Sequence, residues 1–194
     1  LQMAVAYNAI GTEGKVYKPF VVKKLIDQNN KTVEEFKPQL IRDVSQQSEE
    51  NDFFISPKNF KIVKEAIRRV ANGAHGTARW WKIPGIEIAG KTGTSQVRSF
   101  SADQIYDKCE ERPIEDRHHG WFVGFAPFRD PKITVAVLSE HACHGSTGSA
   151  PIVRDVIKAF MEKYHPEMLK KKTKKKLVKV SNKKTTVLKP EGEQ

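Results

Sequence analysis

The residues of this chain best equipped for chemistry lie in Gly90-Lys91-Thr92-Gly93-Thr94-Ser95. They bring a lysine, hydroxyls and closely spaced glycines together. Such a group suits an anion: the ammonium supplies charge, the hydroxyls supply directed donors, and a glycine lets a second backbone approach. Two readings of the motif fit. The eight residues Gly85-Ile86-Glu87-Ile88-Ala89-Gly90-Lys91-Thr92 satisfy G-x-x-x-x-G-K-[ST], a loop that cradles phosphates between a strand and the N-terminus of a helix. Alternatively, Lys91-Thr92-Gly93 sits on a strand, which would present the lysine and the hydroxyls along an extended backbone rather than at a helix start.

The flanks decide between the two. A phosphate loop needs a buried strand before Gly85 and a helix starting at the lysine. Trp80-Trp81-Lys82-Ile83-Pro84 is a poor strand with proline at its end, and Gly93 and β-branched Thr94 open no amphipathic period. Ile86 and Ile88 alternate with Glu87 and Ala89, the period of a strand. The spacing therefore predicts a short strand running into the motif. The nucleotide-binding reading stays as the alternative.

The elements that must position this strand are legible at coarse grain. Leu1, Val5, Ala6, Ala9 and Ile10 fall at helical spacing, with Gly11 placed to end the helix. Residues 20–26 and 32–36 read as a hairpin around the turn cluster Asp27-Gln28-Asn29-Asn30, and residues 39–52 as a polar surface loop. Ser56 is a suitable helix cap and Pro57 suits the first helical position. Phe60, Val63, Ile67 and Val70 then make the apolar stripe, and Asn72-Gly73 ends it. Residues 95–117 form a long polar loop. Residues 121–125 and 133–138 are two strong strands, turned by residues 126–131. Pro151 opens a last helix with Ile152, Val153, Val156, Ile157 and Phe160 on its buried side. The order gives an α/β (α+β) chain: an antiparallel sheet flanked by helices.

The formal net charge is +11 over 194 residues, and it is unevenly spread. Residues 169–194 hold ten lysines against two glutamates, or +8, which leaves +3 for the other 168 residues. The expected organisation is a folded part over residues 1–167 and a solvated lysine-rich tail over 168–194. That tail can attract any polyanion, but its few aromatics give no platform for specific nucleic-acid recognition. No apolar run is long enough to cross a bilayer, so any anchor or leader is expected upstream of Leu1. Cys109 and Cys143 are either one bridge or two free thiols. Cys143 beside His141 and His144, with His118 and His119 upstream, lacks the paired spacing of a structural zinc site, and no metal or cofactor enters the reading.

Several segments, in order, resemble class B penicillin-binding proteins, most of all their elongation-type members. They are Leu1-Gln2-Met3-Ala4 with Tyr7-Asn8, Gly76-Thr77-Ala78, Gly90 to Val97 around Lys91-Thr92-Gly93, His119 to Pro127, and Glu140-His141 through Ala150-Pro151. The resemblance covers roughly residues 1–165 and leaves the lysine-rich tail outside. It implies the C-terminal portion of a β-lactamase/transpeptidase-like fold. It also implies a peptidoglycan D,D-transpeptidase working through a serine acyl-enzyme, with the stem peptide as substrate and β-lactam antibiotics as inhibitors. Lys91 and Thr94 would be the catalytic residues carried here, and Lys91, Thr92, Gly93, Thr94 and Ser95 would bind substrate. The Thr94 backbone N–H would be half of an oxyanion hole. The periplasmic face of the inner membrane, an anchor upstream and a glycan-polymerising membrane partner are further implications.

The chain also departs from that pattern. S-x-x-K should come early, yet it occurs only as Ser181-Asn182-Lys183-Lys184 in the tail, and S-x-N does not occur. This chain alone is therefore expected to be inactive and to need the upstream half of the same domain. Trp80, Trp81 and Trp121 read as packing or groove residues, and His119 as a strand-start histidine. Arg98 and residues 99–117 are assigned no role.

Overall fold

The computed structural model describes residues 1–48, 53–99, 101 and 106–169. The tail therefore lies outside the described residues except for Met168 and Leu169. Helix α1 spans Gln2–Gly11 and α2 spans Pro57–Asn72. Helix α1 ends at Gly11, as expected, with Thr12 as its C-cap. Gly11 also serves packing, since a Cβ on it would meet the Phe125 ring at 3.3 Å. Ser56 does cap α2, its hydroxyl accepting from the Asn59 N–H at 3.4 Å, with Pro57 at the first position.

The buried stripe of α2 is Phe60, Lys64, Ile67 and Ala71; Phe60 and Ile67 were predicted, and Val70 packs partly buried against the core. Val63 is 40% exposed. Lys64 takes a buried place because it has two partners there. Its Nζ donates to the Gly11 carbonyl at 3.1 Å and to the Glu13 carboxylate at 2.7 Å. A cation at the C-terminal end of α1 satisfies a carbonyl that has no helical partner and offsets the helix dipole.

Four short strands lie between these helices. Strand β1 (Lys15–Tyr17) pairs antiparallel with β4 (Leu40–Asp43), and β2 (Lys24–Ile26) with β3 (Thr32–Glu35). The predicted 20–36 hairpin is there, with its first strand shortened. Strand β4 corrects the reading of residues 39–52 as loop: only three residue pairs hold it, too short a run to show a period. The Asp27 Oδ1 fixes the β2–β3 turn by accepting from the Asn29 and Lys31 N–H groups at 2.9 and 2.8 Å.

Strands β5 (Ala89–Ser95), β6 (His119–Ala126) and β7 (Ile133–Ser139) form an antiparallel sheet in the order β5-β6-β7. The predicted strand at residues 86–89 is displaced. Ile86 and Ile88 are buried in the core ahead of β5, and the strand itself is the motif. One face of the sheet packs Ala89 and Phe125 against Tyr7 and Ile10 of α1 and Ile67 of α2. The other packs Phe122 and Ala126 against α3 (Ala150–Tyr164) through Val153, Ile157 and Met161. Ile152 and Val156 of α3, expected inside, are exposed; Ala150 and Met161 take those places, and Phe160 packs partly buried at the core's edge.

Cys109 and Cys143 form a disulfide that joins the β5–β6 connection to the segment after β7. It closes 34 residues of chain, a loop whose opening in the unfolded state costs about 3–4 kcal/mol of stability in the chain-entropy account. Cys143→Ser in the full-length protein is expected to lower the urea midpoint accordingly; an unchanged midpoint would count against that account.

Arg68 ties α2 to the approach of β5, bonding Glu65 at 2.7 Å and Glu87 at 2.8 Å. Its guanidinium holds Glu65 down at about 2 against the usual 4.5. A depressed folded pKa contributes stability that is complete above the unfolded value and lost as pH falls toward the folded one. Acid unfolding between pH 4.5 and 2 should therefore be flatter in Glu65→Gln than in the parent, and parallel profiles would refute the link.

Candidate active site

Strand β5 runs through the whole motif, with Ala89 and Gly90 buried and Lys91, Thr94 and Ser95 exposed. Its register fixes which side chains share a face, because directly opposed residues point the same way. Lys91, Gly93 and Ser95 lie opposite Val123, Trp121 and His119 on the α1 face. Thr92 and Thr94 lie opposite Phe122 and Gly120 on the α3 face. This excludes the phosphate-loop geometry. Lys91 stands inside a strand, no helix starts there, and Gly85, at φ 95°, turns the chain four residues before β5.

The motif lines a groove of about 370 Å³ with Met3, Tyr7, Trp121 and Val123. Burial raises the Tyr7 phenol above its ordinary pKa, so it meets the groove protonated. The Trp121 indole N–H donates to Ser95 Oγ at 3.0 Å, which places Trp121 as the groove residue its position suggested. Lys91 folds back along the strand, Nζ donating to the Thr92 carbonyl at 2.8 Å. Thr92 Oγ1 lies 3.0 Å from Thr77 Oγ1. All five expected site residues thus lie on one strand, with the Lys91 ammonium at the Thr92 carbonyl.

Gly93 meets Trp121: a Cβ on it would stand 3.3 Å from the Trp121 Cβ. Behind it sits a single π-helical turn, Gly145–Ser149. A Cβ on Gly145 would fall 1.9 Å from the Trp121 carbonyl and 2.6 Å from the Gly93 carbonyl. Trp81 fixes that turn by donating from Nε1 to the Ser146 carbonyl at 2.6 Å. The Ser149 hydroxyl, buried in the same turn, donates to the Gly120 carbonyl at 2.8 Å.

The histidines serve the wall beside the motif. His119 starts β6 as expected, and its Nδ1 accepts from the His141 N–H at 3.0 Å. Burial, with Arg112 beside it, lowers the His118 pKa and favours the neutral ring. Arg98 pairs with Asp116, which ties the start of the β5–β6 connection to its end.

Met3, Tyr7 and Thr77 fall in segments that carry the family resemblance, but sequence reasoning gave none of them a role in the site. Each reaches the motif only through tertiary packing, and no spacing along the chain signals that. Because Gly145 meets main-chain atoms, Gly145→Ala must push the π-turn off β5 and β6. Its expected cost is about 3 kcal/mol, read by denaturant unfolding; a neutral substitution would show that the turn gives way without strain.

The family model described as "Penicillin binding protein transpeptidase domain" matches residues 1–158. The peptidoglycan D,D-transpeptidase MrdA of Haemophilus influenzae is 29% identical over 174 residues, which cover 88% of this chain and 25% of the relative. Penicillin-binding protein A from M. tuberculosis, solved as a ceftriaxone acyl-enzyme complex, superposes with a TM-score of 0.59 at 25% identity, over 80% of this chain and 31% of that one. Pseudomonas aeruginosa PBP2, solved with WCK 5153, gives a TM-score of 0.57 at 28% identity, over 84% and 30%. The chain spans about a quarter of the length of the curated relative. With the sheet, the edge strand and its motif arranged as described, this chain belongs to the penicillin-binding protein transpeptidase family and forms part of that fold.

Proposed function

We propose that β5 is one wall of the active site of a peptidoglycan D,D-transpeptidase, and that the rest of the site lies in the upstream half of the same domain. The observation that carries this reading is the edge position of β5, which presents Lys91, Thr92 and Thr94 on a strand that, among the described residues, has β6 on one side only. In an antiparallel ladder, residues alternate between pairing with the neighbour and pointing their N–H and C=O outward. The Thr92 carbonyl that takes the Lys91 ammonium lies on the outer side, and by the same alternation so does the Thr94 N–H.

A stem peptide ending in D-Ala-D-Ala would lie antiparallel along that edge as an added strand. Its terminal carboxylate would meet the Lys91 ammonium and the hydroxyls of Thr92 and Thr94. A serine from the upstream half would attack the penultimate carbonyl, and the oxygen would take up negative charge. The Thr94 N–H would donate to it, a contact worth about 3 kcal/mol in the transition state. Collapse would expel D-alanine and leave the acyl-serine. The amine of a neighbouring stem peptide would then displace the serine and close the cross-link. A β-lactam would enter by the same route and stop at the acyl-enzyme. Ser95, tied to Trp121, would continue the substrate-binding edge.

The likeness to the MrdA relative supports the elongation branch, and with it a role in cell shape, a periplasmic position with an anchor upstream, and a glycan-polymerising membrane partner. Among the described residues, no helix is long and apolar enough to cross a membrane.

Fluorescent penicillin tests the reading on this chain alone and on a longer form that carries S-x-x-K and S-x-N upstream of Leu1. Only the longer form should label. Lys91→Ala should slow its labelling about 10–100-fold, the worth of a hydrogen bond to a charged group. A longer form that does not label would sink the assignment.

A further inference from the structure

We infer that Thr77 is a positioning residue, whose hydroxyl donates to Thr92 Oγ1 and so leaves the Thr92 proton free for the substrate carboxylate. This rests on the reading of β5 given above and extends it to a residue outside the motif. The two Oγ1 atoms are 3.0 Å apart, so a single proton lies between them.

Thr77 is held between fixed neighbours. The Ala78 N–H donates to the Val70 carbonyl at 3.0 Å, and the Ala78 side chain is buried in the main core. The Gly76 N–H donates to the Gly73 carbonyl at 3.2 Å, and a Cβ on Gly76 would fall 2.3 Å from the Val70 carbonyl. The turn after α2 is thus seated on that helix's last carbonyls. It presents Thr77 beside Lys91, at the rim of a second hollow.

The direction of the shared proton follows from the charge that arrives. A hydroxyl has one proton and two lone pairs. If Thr92 donated to Thr77, it would turn lone pairs toward the incoming carboxylate and repel it. If Thr77 donates, Thr92 donates onward, and the two bonds run head to tail and polarise each other. Beside Lys91, whose ammonium lies at the Thr92 carbonyl, an anion selects the second arrangement. Thr77 thereby sets the rotor of a hydroxyl that would otherwise have to be ordered when substrate binds.

The test uses the longer form defined above and compares benzylpenicillin with its methyl ester, which lacks the carboxylate charge. Acylation is followed by intact-protein mass spectrometry. Thr77→Val should slow acylation by the acid about fivefold, the worth of one neutral hydrogen bond, and leave the ester rate and the Tm unchanged. Thr77→Ser should restore the acid rate. A Thr77→Val protein that acylates at the parent rate, or that slows with acid and ester alike, would overturn the inference, as would a serine variant that fails to rescue. If the parent itself does not acylate, the assignment of β5 falls first, and the two failures are told apart.

Discussion

The β5–β6 ladder is the constraint around which the rest of the molecule is arranged. It pairs Ala89 through Ser95 with Phe125 through His119 without a break in register. One edge of β5 is thereby committed, and its position then depends on both faces of the sheet. On one face, Phe125 packs so closely on α1 that a Cβ on Gly11 would stand 3.3 Å from its ring. Lys64 fixes α1 to α2 by closing the end of the first helix. On the other face, the π-turn lies against the carbonyls of Gly93 and Trp121, and α3 is built directly upon it. A strand held on one edge and both faces can leave its outer edge open without fraying, as the proposed binding of a peptide along β5 requires.

The β2–β3 hairpin is stabilised differently. Leu25, Ile26 and Val33 are exposed, Val33 at 70%, and so is Val21 before them at 99%. With both faces open, hydrophobic burial contributes little here, and a lone two-stranded hairpin is marginal in water. The ladder and the Asp27-anchored turn supply what order it has. Within the chain, the core sheet and the β2–β3 hairpin thus rest on different forces: side-chain packing in the first, main-chain hydrogen bonding in the second.

This difference explains what could be read from the sequence. Helix α2 announced its start through Ser56-Pro57 and its end through Asn72-Gly73, because caps are local chemistry. Strands β6 and β7 were legible as apolar runs divided by a proline-bearing turn. The motif was legible as a set of residue types. What escaped depends on neighbours far along the chain. Lys64 reads as a surface lysine until α1 offers it a carbonyl and a carboxylate. Strand β4 has no period of its own. Ile86 and Ile88 alternate as a strand does, yet they fill the core before the strand begins. The π-turn reads as a glycine-serine loop, and only its seat on the sheet makes Gly145 obligatory. The choice between a bridge and free thiols was likewise open until Cys109 and Cys143 met in space.

Gly85 through Thr92 shows how the same letters can carry incompatible chemistry. A phosphate loop and a peptide-binding strand both ask for glycine, lysine and threonine, because both bind an anion against a backbone. They differ in where the backbone donors point. At a helix start, successive N–H groups converge on one point and cradle a compact, highly charged group. Along a strand, every second residue turns its N–H to the same side, and the donors form a row that matches another extended chain. The β-branched threonines at 92 and 94 favour the row, and their pairing with Phe122 and Gly120 fixes it. A carboxylate at the end of a peptide needs that row, with one cation near its end. Lys91, turned onto the Thr92 carbonyl, puts its charge beside the row rather than at the centre of a nest. The geometry in which the motif can offer its donors is therefore set by the secondary structure that carries it more than by the residues that spell it.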